Sequence, residues 1–136
     1  MNSEHTQNQR RSILTIVLSA LVLLLAPISH GSEAVLADKT IQHMIAHVAR
    51  SDVVFVRNSQ KYSGKEAAEH MQKKYAHFKD KIRTPEDFIQ LCASRSLLSG
   101  KPYLVINEKG EAIGSKEWLT AELERYKRES ELRSIR

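Results

Sequence analysis

The chain has 136 residues, 41% of them hydrophobic, and 21 Lys and Arg against 16 Asp and Glu give a formal net charge of +5. That length suits one domain, and a charge so mild and so interleaved with acids argues against a nucleic-acid binder. A single cysteine excludes an internal disulfide and a cysteine-based zinc site.

The first segment reads as an address. Residues Met1 to Arg11 are polar and end in Arg10-Arg11, Ile13 to Ala26 carry no charge, and Pro27 breaks the run. Ser29 and Gly31 put small residues where a signal peptidase reads, so a secretory signal peptide over residues 1–31 is expected, cleaved after Gly31. A second cleavage candidate lies after Ala37, farther from the apolar run. The rival is an uncleaved inner-membrane anchor, but spanning the hydrocarbon takes about 20 apolar residues and this run is shorter. No cysteine lies near the site for lipid attachment. Gln9-Arg10-Arg11-Ser12-Ile13-Leu14 fits a twin-arginine signal only loosely, and general secretion to the periplasm is expected. Cleavage removes two Arg and one Glu and leaves residues 32–136 at +4.

Ser32 to Arg50 reads as a helix, with Ala34, Ala37, Ile41, Met44, Ile45 and Val48 on one stripe. Val53 to Arg57 is short, β-branched and aromatic, which predicts a strand covered on both faces. Asn58 to Gly64 reads as a polar turn. A second helix opens near Ser63, with Glu66 completing a capping box, and runs to about Lys81. Its stripe is Ala67, Ala68, Met71, Tyr75, Phe78 and Ile82. Thr84-Pro85-Glu86-Asp87 starts a short helix that buries Phe88, Ile89, Leu91 and Cys92 and gives way to a loop over Ser94 to Gly100. Pro102 to Asn107 predicts a strand, Glu108-Lys109-Gly110 a turn, and Glu111 to Ile113 its return. Ser115 is expected to cap a last helix carrying Trp118, Leu119, Leu123 and Tyr126, with residues 129–136 as a frayed charged tail. The order α-β-α-α-β-β-α predicts a small single α+β domain over 32–128, its helices packed on a two- to three-stranded antiparallel sheet.

An ordered set of residues carries a family resemblance. Phe55-Val56-Arg57-Asn58, Ala67 with His70 and Lys74, Ile82 and Thr84, Phe88-Ile89, Ala93-Ser94 and Ser99-Gly100-Lys101-Pro102-Tyr103 follow one another. Over roughly Lys39 to Leu123 the chain resembles the bacterial family catalogued as domain of unknown function 5329, the YfeK-like envelope proteins. The resemblance implies a secreted periplasmic protein and supplies no catalytic residues. It singles out Arg57, Asn58, His70, Lys74, Ser94, Ser99 and Tyr103 as family-type positions. The family pattern has Gly where this chain has Ser59, and serine tolerates positive φ poorly, which argues against a tight two-residue turn there.

The residues themselves offer few catalytic patterns. His43 and His47 have metal-ligand spacing on a helix, but Met44 stands where a metalloprotease needs Glu, and both are expected to face solvent without a third ligand. His70, Lys74 and His77 share one helix flank, where His70 could act as a base. Ser94, Ser96 and Ser99 lie in neither a Gly-x-Ser-x-Gly elbow nor a Ser-x-x-Lys motif. Ser63-Gly64-Lys65 lacks the remainder of a phosphate loop. Cys92 falls on an apolar face and is expected in the core. A Ser-Gly-x-x-Tyr match at Ser99–Tyr103 resembles a lysozyme-inhibitor family, but that family is an all-β barrel and this chain reads half helical.

The best constellation joins Arg57 and Asn58 at a strand end to the loop running into the second strand. Paired strands would bring Arg57, Lys74 and Lys101 to one edge, where they could hold an anion. The candidate ligand set is therefore Arg57, Asn58, His70, Lys74, Ser94, Ser99, Lys101 and Tyr103, with no catalytic residue, metal or cofactor assigned. The expected role is a non-enzymatic envelope domain that binds a protein or an anionic envelope component, with no nucleic acid and with membrane contact only through an uncleaved leader. The alternative is a small hydrolase or transferase using His70 and a loop serine, which requires hydrogen-bond contact between them.

Overall fold

The computed structural model describes residues 30–136, so the leader expected over residues 1–31 lies, but for its last two residues, outside the described residues. Eight elements follow in order: α1 (His30–Arg50), β1 (Val54–Arg57), β2 (Gln60–Tyr62), α2 (Gly64–His77), α3 (Pro85–Phe88), β3 (Leu104–Ile106), β4 (Ala112–Gly114) and α4 (Ser115–Ser134). The class is α+β, as the element order predicts. Among the described residues no helix is long and apolar enough to cross a membrane.

The sheet has four antiparallel strands in the order β2-β1-β3-β4, more than the two or three expected. The addition is β2, in a stretch whose polarity reads as turn. Asn58 and Ser59 both take positive φ, 51° and 66°, and Arg57 pairs directly with Gln60. That is the tight two-residue turn that Ser59 argued against, and its twist matches that of the flanking strands. Gln60 and Lys61 are exposed, which is why an edge strand here carries no apolar signal.

One row of cross-strand partners, Phe55, Val105 and Ile113, crosses the sheet, and Phe55 and Val105 are buried in it. Val54, Val56, Leu104 and Ile106 are only half-buried, so β1 is not covered fully on both faces as expected. The helices close over the Phe55–Val105 row. Ile41, Met44 and Val48 of α1, Met71 and Tyr75 of α2, Phe88, and Leu119 and Leu123 of α4 join it in one core. The buried stripe of α1 begins later than expected: Ala34 is exposed and Ala37 half-buried.

Local chemistry sets the helix ends. Ser63 and Glu66 form the expected capping box, and Gly64 brings α2 so close to α1 that a Cβ there would sit 2.3 Å from the Val48 carbonyl oxygen. α2 stops at His77, short of Lys81, and a 3-10 turn over Lys79–Lys81 leads to buried Ile82. Thr84 and Asp87 cap α3 reciprocally, and the chain then widens into a π turn, Ile89–Ala93, that packs on both α2 and α4.

α4 departs from expectation at both ends. Its N-cap is Gly114, with no side-chain cap, and Ser115 is the first helical residue, donating its N–H to the Tyr103 carbonyl at 2.9 Å. The helix also continues through the expected tail to Ser134. Apolar periodicity ends near Arg128, but Glu129 pairs with Arg125 and Arg133 at four-residue spacing, which supports an exposed helix.

Candidate functional site

The site is built where the β1–β2 hairpin, α2 and the loop before β3 meet. Two cavities share Arg57, Tyr62, His70 and Tyr103 in their walls. The smaller, about 250 Å³, reaches Phe55, Glu66, Glu69 and Ser115. The larger, about 510 Å³, runs past Asn58, Gln60 and Lys74 to Ser96, Leu97 and Leu98.

Arg57 ends β1, and its cross-strand neighbourhood decides its direction. The hairpin returns Tyr62 beneath it, so the guanidinium lies 4.8 Å from the Tyr62 ring centre and donates from Nη2 to the Tyr62 hydroxyl at 3.2 Å. Lys74 holds a position of the buried stripe, three residues after Met71, and is only 6% exposed. Its Nζ donates to the Arg95 carbonyl at 3.1 Å and sits 5.1 Å from the centre of the Tyr103 ring. Among the described residues neither Arg57 nor Lys74 has a carboxylate partner. Burial, with Arg57 adding repulsion, pushes the Lys74 pKa down although the nearby Cys92 opposes it.

His70 faces the same space, one helical turn before Lys74. Its Nε2 lies 3.2 Å from the Tyr103 hydroxyl. Burial first, then the charges of Arg57, Lys74 and Lys73, lower its pKa to about 4, so it is neutral at neutral pH. Burial raises the Tyr103 pKa, against the pull of Arg57. The cluster is thus two buried or half-buried cations and a neutral imidazole around one phenol.

The remaining expected residues are divided. Asn58 lines the larger cavity and ties the hairpin to the loop, donating to Ser96 Oγ at 3.4 Å and accepting from Ser99 Oγ at 2.6 Å. Ser99 and Lys101 are exposed and line neither cavity, so Lys101 does not join Arg57 and Lys74 as expected. Ser94 is buried, donates its hydroxyl to the Gln90 carbonyl, and also lines neither cavity. His70 therefore meets Tyr103, and the loop serines direct their hydrogen bonds elsewhere. Lysine at position 101 reaches the loop only through its backbone, accepting from Ser96 N–H at 2.9 Å.

His43 and His47 also differ from expectation. Rather than facing solvent, they pack on α4: His43 stacks on Tyr126 at 3.9 Å, and His47 lies 4.8 Å from Trp118. Both approach the buried carboxylate of Glu122, at 2.8 and 3.5 Å. Arg125 forks onto the same carboxylate at 2.8 and 2.7 Å, so a cation already occupies it. Among the described residues no group of three metal-type ligands is assembled.

Tyr62, Ser115 and the Leu97-Leu98 pair belong to the cavity walls beyond the residues expected there. Ser115 is fully buried, and its hydroxyl has no hydrogen-bond partner among the described residues. The signal for Tyr62 was a lone aromatic four residues beyond the Asn58 turn. For Ser115 no sequence signal exists, because a serine before a helix reads as a cap.

The model of a family of unknown function, DUF5329, matches residues 36–127, close to the span of the resemblance. Among curated proteins the chain is similar to the uncharacterized protein YfeK of Salmonella typhimurium, 33% identical over 89 residues that cover 65% of this chain and 74% of the relative. No solved structure matches.

Proposed function

The chain belongs to the DUF5329 family of unknown function, and on that premise we propose that it is a binding domain of the bacterial envelope that receives an anionic group in the cleft of Arg57, His70, Lys74 and Tyr103. The observation that carries the reading is the burial of Lys74 beside Arg57 with no carboxylate bonded to either among the described residues. A buried ammonium without an opposing charge is costly, and an anion entering from the cleft relieves that cost. Tyr103 adds a neutral hydrogen-bonding group to both cavities, and the unpartnered Ser115 hydroxyl adds one to the smaller. The envelope assignment rests on the leader-like first segment. A role without catalysis is supported by the contact of His70, whose described hydrogen-bond partner is a phenol rather than a loop serine.

The test is a proton NMR titration of the His70 ring with inorganic phosphate. Phosphate binding is expected to raise the His70 pKa from about 4, because the anion offsets Arg57 and Lys74, and Arg57→Gln is expected to abolish the response. An imidazole signal indifferent to phosphate in the native chain would overturn the proposal. Hydrolytic turnover that disappears on His70→Ala would overturn the non-catalytic part of it.

A further inference from the structure

Leu98 is 98% exposed and Leu97 63%, yet neither lies on a loose segment. The loop that carries them is closed by Ser96 N–H to the Lys101 carbonyl at 2.9 Å and Gly100 N–H to the Ser96 carbonyl at 3.0 Å. A bridge between Arg95 and Pro102 clamps its base, and the Asn58 bonds to Ser96 and Ser99 fasten it to the hairpin. Gly100 supplies the positive φ of 68° that turns the chain back. A braced turn thus holds two leucines out into water, where each leaves apolar surface unburied.

The charges within this segment have one sign. Residues 94–103 contain Arg95 and Lys101, both exposed, and no acid. The same leucines form one end of the larger cavity whose other walls hold Arg57 and Lys74. Apolar tip, basic flanks and a basic cleft directly behind the tip are the arrangement that an anionic amphiphile complements.

We infer that the loop over residues 94–101 docks the protein on an anionic phospholipid bilayer, with Leu97 and Leu98 entering the acyl boundary and a headgroup phosphate entering the cleft at Arg57 and Lys74. The inference rests on the anion reading of the cleft and names the source of the anion. It also provides a membrane contact that does not depend on an uncleaved leader. Arg95 and Lys101 meet neighbouring headgroups at the surface, which gives Lys101 a role outside the cavity.

The test is flotation of the full chain with vesicles of phosphatidylcholine alone or with about one-third phosphatidylglycerol. Any contribution of the leader is common to every variant, so the readout is the difference between variants. Leu97→Ser/Leu98→Ser is expected to lower partition onto the mixed vesicles by roughly tenfold or more, at unchanged melting temperature because both side chains are exposed. Leu98→Ser alone is expected to give a smaller loss in the same direction, and Arg57→Gln to reduce the preference for phosphatidylglycerol. Partition unchanged by the leucine substitutions, or equal on both vesicle types, overturns the inference. If phosphate still shifts His70 in that case, the anion cleft stands and the bilayer as its source falls. Leucine-dependent flotation without any phosphate response at His70 overturns the headgroup seat in the cleft.

Discussion

Ser59 holds a φ of 66°, next to Asn58 at 51°, and the two residues carry the whole reversal from β1 to β2. Asparagine visits this region readily, but a serine there puts its Cβ against the following carbonyl and costs about 1–2 kcal/mol. The strand pairing and the Asn58 bonds to the loop hold the turn closed despite that cost. Ser59→Gly is therefore expected to stabilise the protein by about 1 kcal/mol, less than the full strain because glycine adds freedom to the unfolded chain. A urea midpoint that rises with an unchanged slope is the measurement, and no rise would mean the turn is unstrained. Serine's own preference argues against the tight turn, and the strand pairing on either side of it decides otherwise.

At the scale of elements, what was legible in the sequence is what repeats. The stripes of α1 and α2, the capping box at Ser63 and the N-cap at Thr84 follow from periodicity and cap chemistry, and the strand at Val54–Arg57 from its β-branched and aromatic content. β2 was not legible, because Gln60, Lys61 and Tyr62 owe their strand to a partner and not to their own pattern. The π turn has no sequence signature, and its extra residue per turn is chosen by packing against α2 and α4. The site was half legible. Arg57, Asn58, His70, Lys74 and Tyr103 converge as one edge, whereas Ser94 bonds back to the π turn and Ser99 and Lys101 belong to the loop.

The contact of α1 with α4 is not legible in the sequence for a related reason, since the partner of His43 is 79 residues away at Glu122. Glu122 is 6% exposed, and its pKa is lowered although burial opposes it, through hydrogen bonds from Arg125 and His43 and the nearby His47. Glu122→Ala removes the acceptor and leaves those donors facing one another. A loss of about 1–3 kcal/mol is expected, read as a lower thermal midpoint. Stability equal to that of the native protein would show that the carboxylate cluster contributes nothing to holding α4.

For the whole molecule, acid should act through the basic cleft. His70 has a pKa of about 4 in the folded chain against 6.5 when exposed, mainly through burial and then the surrounding cations. Above pH 6.5 both states are neutral and His70 has no effect. As pH falls from 6.5 to 4, the unfolded chain takes up a proton that the folded chain refuses, and stability declines; below 4 the loss levels off. Discounted for solvent screening, the decline is on the order of 1–3 kcal/mol. His70→Gln is expected to flatten the stability profile between pH 6.5 and 4, and a profile of unaltered slope would assign the acid response to other groups.

Cys92 sits at the centre of the core with no exposed surface, and burial lifts its thiol pKa to about 11 despite the nearby Lys74. At neutral pH only about one molecule in ten thousand then carries the nucleophilic thiolate, and that sulfur is sealed from solvent. Mixed disulfides with glutathione or a thiol oxidase therefore require the core around Cys92 to open. The shield over this sulfur is the packing of the π turn against α2 and α4, so its exposure to an oxidant is set by how often that packing opens.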